Sequence, residues 1–213
     1  MSQIDDLIAK FCPDGVRSYP LWKLTIWDKK FNAVERHKQA ETRRYKYFLA
    51  GEIKGLSVES GGTVKLLSTG AEDYGWTTPE IAGDAVSDAE IVAIPWGGTP
   101  SVQYYKGLFL TTDNRIAIVK DSQFLSTRYL YYSLLIRIKV ITSFYRGAGI
   151  QHPNMAKVLD LKIPVPPLEV QSEIVKILDA FTELEAELVA ELEARRQQYA
   201  FYRNKLLSFE EIP

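Results

Sequence analysis

Few residues of this 213-residue chain stand in patterns that catalyse reactions. Pro13-Asp14 followed by Asp28-Lys29-Lys30 imitates the carboxylates and lysine of a metal-dependent nuclease, but Asp14-Gly15 is typical of a turn, not of the strand that such a site needs. Gly147-Ala148-Gly149 follows a predicted helix, whereas dinucleotide-binding glycines follow a strand. The sequence contains no GxxxxGK[ST] phosphate loop. These patterns favour a recognition or assembly protein over an enzyme.

Residues that bind metals are scarce. Cys12 is the single cysteine, and His37 and His152 are the only histidines, so neither a zinc site nor an internal disulfide is expected. Asp5 and Asp6 stand where a secretory signal would carry basic residues, and no apolar run approaches the ~20 residues that span a bilayer. With 46% hydrophobic and 25% charged residues, the chain has the composition of a globular protein. We expect a cytoplasmic, metal-free protein.

The net charge of −1 conceals an uneven distribution along the chain. Residues 17–54 carry 10 basic and 4 acidic side chains, and residues 115–157 carry 7 basic and 1 acidic, whereas residues 66–114 carry 1 basic and 7 acidic. A local basic face is sufficient for phosphate binding, whatever the charge of the whole chain. The distribution is compatible with nucleic-acid binding, although the blocks cancel if they interleave on the folded surface.

The first two thirds of the chain have the texture of an irregular, loop-rich α+β domain. Runs of aromatic and β-branched residues predict strands, and clusters of Gly, Ser, Asn and Pro between them predict turns. Apolar residues at spacings of three and four predict one helix at 126–143. The predicted strands are 45–52, 63–67, 90–95, 107–110 and 115–120.

A proline-rich segment precedes a single long helix. Pro164, Pro166 and Pro167 favour an extended connector, because proline cannot continue a helix interior. From Leu168 to Phe209 there is no proline or glycine, and strong helix formers dominate. We therefore predict a domain at 1–160, a linker at 161–167 and a helical region at 168–213.

Apolar residues recur along this helix every 3.5 residues, which is typical of a coiled coil rather than of a helix packed on its own domain. Two charged residues interrupt the pattern symmetrically about its centre. The predicted seam comprises Ile174, Leu178, Phe181, Glu185, Leu188, Leu192, Arg195, Tyr199, Tyr202 and Leu206.

The charged seam positions suggest how two such helices pair. In an antiparallel pair of identical helices centred on Ala190, Glu185 of one copy faces Arg195 of the other, while the apolar positions face each other. A shift by one heptad places both charges against apolar groups, which is costly if they are buried. We therefore predict a self-complementary seam with a charged register lock. The alternative is that both side chains reach past the seam to water.

Three stretches resemble the specificity (S) subunits of type I restriction–modification systems. Between them, the body of the domain is similar in texture only. The stretches are Ile4-Asp5-Asp6-Leu7-Ile8 with Cys12-Pro13-Asp14-Gly15-Val16 and Pro20-Leu21; Ile150-Gln151-His152-Pro153-Asn154; and Leu161-Lys162-Ile163-Pro164-Val165-Pro166-Pro167-Leu168-Glu169-Val170-Gln171 with Ile174-Val175 and Leu178.

The resemblance implies a non-catalytic DNA-recognition subunit, in which 1–160 is the target-recognition domain and 168–213 serves dimerisation and spacing. It implies as partners double-stranded DNA, methyltransferase (modification) subunits and, in the full complex, a restriction subunit. S-adenosylmethionine and ATP would then belong to those subunits, and no cofactor is expected in this chain. A complete S subunit resembles two such domains with two helices. This chain resembles half of one, and its helix would pair with a second copy or with another half-subunit to read a bipartite target.

Candidate DNA contacts follow from the chemistry of phosphates and bases. Lysine and arginine bind phosphate, arginine and glutamine can bond base edges in the major groove, and glycines beside an aromatic ring allow close approach of the backbone. For each single residue a solvated or structural role is the alternative, and for the Trp96-Gly97 turn a purely structural role is favoured. The candidates are Lys29, Lys30, Arg36, Lys38, Arg43, Arg44, Lys46, Trp96, Gly97, Gln103, Arg115, Arg146 and Gln151.

Two other functions remain open at this point. The chain could be a protein-interaction adaptor that dimerises through its helix, or an idle, truncated fragment of a specificity subunit. Salt dependence separates DNA binding from an apolar adaptor contact, because binding to phosphates releases counterions.

Overall fold

The computed structural model describes residues 3–70 and 72–209, and its packing separates between Ser172 and Glu173 into two compact units. The ends of the predicted regions, residues 1–2 and 210–213, lie outside the described residues. Within the described ranges, no helix has the length and apolar character of a membrane span.

A mixed β-sheet forms the centre of the first unit. Its strand order is β2-β7-β5-β6-β3-β4, and neighbouring strands are antiparallel except β3 and β6, which run parallel. The strands are β2 (Thr25–Trp27), β3 (Val64–Leu67), β4 (Trp76–Thr77), β5 (Ser87–Pro95), β6 (Gln103–Thr111) and β7 (Asn114–Val119).

The sheet is buried on both faces. Successive residues of its strands point to opposite sides, and each side contacts its own apolar cluster. On β6, Leu110 packs on one side with Ile53 and Leu66, whereas Phe109 packs on the other side with Ile91. All five side chains are almost completely inaccessible to solvent. The sheet whose edge is formed by the ends of β2 and β5 and the start of β7 is therefore packed on both faces.

Short elements surround the sheet. Two small antiparallel pairs join segments that are distant in sequence, β1 with β10 and β8 with β9. These strands are β1 (Ser18–Pro20), β8 (Tyr145–Arg146), β9 (His152–Pro153) and β10 (Lys162–Pro164). The helices are α1 (Gln3–Phe11), α2 (Leu21–Leu24), α3 (Ala50–Lys54), α4 (Pro79–Ala82), α5 (Thr127–Leu135), α6 (Ile138–Thr142), α7 (Met155–Leu159) and α8 (Leu168–Leu207), with 3-10 turns at Arg36–Gln39 and Gly83–Ala85.

The predicted α+β class with one long C-terminal helix is confirmed, and four of the five predicted strands overlap β3, β5, β6 and β7. The fifth, at 45–52, is wrong. Tyr47 makes only an isolated bridge with Thr111, and a helix begins at Ala50. The Glu52 carboxylate accepts a hydrogen bond from the Leu49 backbone N–H at 2.8 Å, which satisfies a donor at the start of α3 and favours the helix over a strand.

The predicted helix at 126–143 is interrupted. The Ser126 hydroxyl caps its start by accepting from the Tyr129 N–H, and Leu130 and Leu134 are buried as the pattern predicts. However, α5 ends at Leu135 and α6 starts at Ile138. Between them Arg137 has φ −97° and ψ 10°, and its guanidinium donates to the Ser133 carbonyl at 2.7 Å, which ends the first helix.

The proline-rich segment 161–167 packs within the first unit. Strand β10 pairs with β1, and the Val165 N–H donates to the Arg17 carbonyl at 2.9 Å. Ile163 is fully buried. Residues from the two ends of the unit are therefore held together immediately before α8 begins.

Gln171 fixes the first turns of α8. Its side chain is fully buried and accepts from the Ser126 N–H at 2.9 Å. Its amide also donates to the carbonyls of Phe124 and Pro166 at 3.0 and 2.8 Å. One side chain thus satisfies three backbone groups of two loops.

We expect Gln171→Ala to lower the free energy of unfolding by about 3 kcal/mol, because it leaves buried backbone groups without partners. Gln197→Ala is the matched control, since Gln197 is exposed on the same helix. Urea denaturation measures both. A loss no larger for Gln171→Ala than for the control would contradict this role.

Candidate nucleic-acid interface

A cleft of about 510 Å³ opens at one edge of the central sheet. Strands β2 and β5 run antiparallel to β7, so their ends meet the beginning of β7 at this edge. Loops that follow β2 and β5 and the hairpin formed by β8 and β9 provide the walls. The lining residues are Lys29, Lys30, Phe31, Asn32, Ala33, Tyr47, Trp96, Asp113, Arg115, Arg146, His152, Pro153, Asn154 and Met155.

A second depression of about 260 Å³ shares Lys29, Tyr47 and Arg115 with this cleft. Arg44 and Asp28 also line it. We call the two together the basic cleft, because their linings contain five Lys and Arg side chains but only two Asp side chains. The basic residues are Lys29, Lys30, Arg44, Arg115 and Arg146, and the acidic ones are Asp28 and Asp113.

Arg115 lies at the floor of the basic cleft and is only 2% exposed. Its guanidinium donates to Asp28 Oδ2 at 3.0 Å and also to Asp113 Oδ1. The other Asp28 oxygen accepts from the Ile116 N–H at 3.1 Å. These bonds connect the end of β2, the β6–β7 turn and the start of β7.

The electrostatics of Asp28 reflect this position. Burial raises the pKa of the carboxyl group above its ordinary value, while the charge of Arg115 and the Ile116 N–H oppose that rise. The carboxylate is therefore dependent on Arg115 for its stabilisation, and the pair forms a unit.

Trp96 connects Arg115 to the β8–β9 hairpin. The Arg115 guanidinium lies 4.6 Å from the centroid of the Trp96 ring, and the His152 ring lies 5.0 Å from it at 31°. His152 Nδ1 is 2.7 Å from the Trp96 carbonyl oxygen, and since a carbonyl only accepts, Nδ1 carries the proton in this bond. The tryptophan thus has a structural role in the wall of the cleft.

Part of the predicted DNA-binding set meets in the basic cleft. The structure brings together Lys29, Lys30, Arg44, Trp96, Arg115 and Arg146 from five separate segments. Gly97 and Gln151 adjoin it as sequence neighbours of Trp96 and His152. Arg115 is buried and paired, so it supports the site from below rather than facing a ligand.

Other candidates lie in different surroundings. Lys38 forms an ion pair with Asp160 at 2.9 Å, and the Gln103 amide donates to the Ser68 carbonyl at 3.0 Å. Arg43 donates to the Asp88 carbonyl at 3.3 Å. Arg36 and Lys46 are exposed and do not line the basic cleft. The DNA contacts of all these residues stay predictions.

The nuclease-like pattern has a different structural use. Asp14 lies in an exposed turn after α1, and Asp28 pairs with Arg115. Among residues 3–70 and 72–209, no three His, Cys, Asp or Glu side chains are grouped as metal ligands.

Sequence reasoning missed several residues of the basic cleft. Tyr47 is 56% exposed and directly follows the basic run at 43–46, where an aromatic residue beside cations is a recognisable signal. Asp113 lies in a turn between two predicted strands, and its pairing with Arg115 has no signal in the sequence. Asn154 starts α7, where its side chain accepts from the Lys157 N–H.

The predicted seam lies on an exposed face of α8. Phe181, Leu188 and Tyr199 are each more than half exposed. Phe181, Leu184, Glu185, Leu188, Val189 and Leu192 line a shallow apolar groove of about 370 Å³. Arg195 forms an ion pair with Glu191 of the same helix at 3.4 Å.

Comparison with known proteins identifies the family. The sequence model of the type I restriction modification DNA specificity domain matches residues 59–194, which is more than half of the chain. The chain belongs to this family. The resemblance stated from the residues at 150–178 is thereby confirmed. The match begins after the N-terminal stretch, whose similarity stays a prediction, and it includes Trp96, Arg115 and the β8–β9 hairpin.

Curated relatives carry matching names. A putative type I restriction enzyme specificity subunit of Haemophilus influenzae is 37% identical over 138 residues, which cover 59% of this chain and 35% of that protein. The EcoR124I/EcoR124II specificity subunit of Escherichia coli is 41% identical over 91 residues, which cover 39% of this chain and 22% of that protein. The chain therefore matches only about a third or less of these relatives' length.

Solved structures share the fold. The S subunit of a type I system from M. genitalium matches 92% of this chain and 46% of its own length, with a TM-score of 0.61 and 20% identity. The HsdS subunit of Thermoanaerobacter tengcongensis matches 94% and 49%, with a TM-score of 0.50 and 16% identity. This chain spans about half of either structure.

We expect Arg115→Met to destabilise the protein by about 3–5 kcal/mol, because it leaves the buried Asp28 carboxylate without its partner. Arg44→Met, on the exposed rim, should change the free energy of unfolding by less than about 0.5 kcal/mol. Urea denaturation measures both variants.

A double-mutant cycle tests the coupling. Asp28→Asn combined with Arg115→Met should cost less than the sum of the single changes, since no unpaired buried charge is left and Asp113 is partly exposed. Additive losses would show that the two side chains do not act as a pair.

Proposed function

We propose that this chain is a non-catalytic DNA-recognition part of a type I restriction–modification system, with a target-recognition domain at 1–160 and a dimerising helix. Its membership of the specificity-domain family is the observation that carries the proposal. In this function the chain binds double-stranded DNA and directs methyltransferase and restriction subunits to it. S-adenosylmethionine and ATP serve those subunits.

The basic cleft supports DNA as the ligand. Lys29, Lys30, Arg44 and Arg146 come from three separate segments and line the same cleft, where they can bind successive phosphates. Tyr47 offers an exposed ring beside them. Both lining carboxylates bind Arg115, and Asp113 also lies 3.9 Å from the Lys29 ammonium group, so the acidic charges are compensated within the basic cleft.

A second copy of the chain, or another half-subunit, is the partner proposed for α8. The apolar groove between Phe181 and Leu192 supports this, because such a stripe is stable in water only when it is covered. In the antiparallel register centred on Ala190, the Glu185 carboxylate would form an ion pair with Arg195 of the other copy. Two domains so joined would read a bipartite target.

DNA binding by the basic cleft predicts a steep salt dependence. Fluorescence anisotropy of the full chain with a labelled mixed-sequence duplex gives the slope of log K against log salt concentration. Lys29→Gln with Lys30→Gln should reduce that slope by up to about 2, since each lost phosphate contact removes about 0.9.

Lys54→Gln with Lys106→Gln is the control of equal charge, because these lysines pair with Glu72 and Glu90 away from the basic cleft. Equal slopes for both double variants would contradict the placement of DNA in the basic cleft. Binding to protein but not to DNA would favour the adaptor function.

Charge reversal tests the seam. Glu185→Arg places like charges together twice in the paired helices, so the dimer dissociation constant in analytical ultracentrifugation should rise at least about tenfold. Adding Arg195→Glu should restore pairing. Glu187→Arg on the outer face of the helix is the control.

Failure of the double reversal to restore pairing would show that this register is wrong. A map of methylated adenines after co-expression with a type I methyltransferase subunit gives a second test. A gapped palindromic motif would mean that two copies of this chain pair. Two unrelated half-sites would mean that the chain pairs with a different half-subunit. Absence of methylation would contradict a function as specificity subunit.

A further inference from the structure

The β8–β9 hairpin presents a short, exposed tip to the basic cleft. Tyr145 and Arg146 pair with Pro153 and His152, and the intervening residues 147–151 are all exposed. Gly147 has φ 146°, and a Cβ atom at this position would lie 2.5 Å from the Ile150 carbonyl oxygen. The tip therefore closes tightly on itself, and only glycine fits at 147.

The base of the hairpin is anchored to the central sheet. Tyr145 is buried and its hydroxyl donates to the Pro95 carbonyl at 2.8 Å; burial raises the pKa of Tyr145 well above its ordinary value, so the donor proton is kept. His152 stacks on Trp96, and the Trp96 N–H donates to the Asp113 carbonyl at 3.0 Å. Through these contacts the hairpin is tied to the buried Arg115 cluster.

Ile150 is the apolar residue of this tip and is 70% exposed. Its Cγ2 atom leaves no room for a side chain at Gly97, where a Cβ atom would lie only 2.8 Å away. Arg146 and Gln151 of the same hairpin are exposed as well, and Trp96, which precedes Gly97, lines the basic cleft together with Arg146. A single exposed isoleucine on a hairpin with an exposed arginine and glutamine differs from the contiguous apolar patch of a protein interface.

This combination has a known physical use on DNA. Proteins that bend a duplex insert an isolated apolar side chain between base pairs, while neighbouring cations bind the flanking phosphates. The inserted side chain must be held by a firm support, since unstacking a base step costs a few kcal/mol. The anchored hairpin provides that support, and Arg146 lies at its base.

We infer that the β8–β9 hairpin is a DNA-bending wedge that inserts Ile150 between base pairs, with Trp96 and Gly97 as positioning residues. The inference rests on the proposed DNA-recognition function. The wedge would favour target sequences whose base steps unstack easily, and this preference would add to any hydrogen bonds that Gln151 makes with bases.

The test uses the full chain and a duplex selected by it from a random-sequence library, labelled at both ends for energy transfer and carrying 2-aminopurine. Wild-type protein should bring the duplex ends closer and raise the 2-aminopurine fluorescence. Ile150→Gln should lose both signals and bind the selected duplex roughly ten- to a hundredfold more weakly, with an unchanged salt slope.

Ile136→Gln is the matched control, because Ile136 is equally open at 81% but lies in the turn between α5 and α6. It should bend and bind DNA as the wild type does. Gly97→Ala keeps Ile150 and every charge but displaces the tip, so it should reduce bending while the free energy of unfolding changes little.

The outcomes separate this inference from the proposed function. Salt-dependent binding by the wild type, with equal bending and affinity for Ile150→Gln, would overturn the wedge and leave DNA recognition intact. A straight duplex in the wild-type complex would overturn it as well. Absence of DNA binding by the wild type would overturn both.

Discussion

The buried ion pair between Arg115 and Asp28 is the constraint on which the architecture of the candidate site depends. A buried arginine needs partners for its charge, and the two terminal nitrogens of Arg115 donate to carboxylates while its Nε has no partner among the described residues. Here the carboxylates come from the end of β2 and from the β6–β7 turn, so the pairing forces segments distant in sequence to meet at one edge of the sheet. The lysines that follow β2 are consequently placed at the opening.

Arg115 also contacts the aromatic residues that hold the β8–β9 hairpin. Its guanidinium supports the Trp96 ring, which supports His152 and therefore the hairpin tip. In the proposed function, phosphate binding and base contact would therefore have different origins. Exposed cations would supply affinity that varies with salt, whereas a hairpin held at its base by stacking and hydrogen bonds would supply a contact that does not depend on charge. The two can change separately by mutation of different loops.

The sequence predicts those features that depend on neighbours along the chain. The helix after Pro167 follows from composition and lack of glycine, and β5 and β7 follow from runs of β-branched residues. The aromatic residues at 45–52 wrongly predict a strand, because the Glu52 side chain stabilises the start of a helix there. Periodicity also missed the break at Arg137, where one side chain bonds the carbonyl of Ser133.

The site was harder to predict, because its contacts join residues far apart in sequence. Arg115 has the chemistry of a base reader, and only the fold reveals that its two terminal nitrogens donate to Asp28 and Asp113. Lys38 is similarly paired with Asp160, 122 positions away. Local composition shows the basic run as a group but does not rank its members, since burial and pairing decide which cations face outward.

The C-terminal helix adds a constraint of length. Its 40 residues correspond to about 60 Å, and its exposed leucines make a long unpaired helix unfavourable in water. In the antiparallel register centred on Ala190, the Glu173 residues of two copies are separated by about 50 Å, the length of roughly 15 base pairs. A slip by one heptad changes that separation by about 10 Å, or roughly 3 base pairs. Apolar seam residues alone tolerate such slips, because leucine packs against leucine in each register. The proposed Glu185–Arg195 pair would therefore do more than add stability: by penalising the slipped registers it would fix the spacer between the two half-sites. A property of the DNA target would then be determined by a charge pair that does not contact DNA.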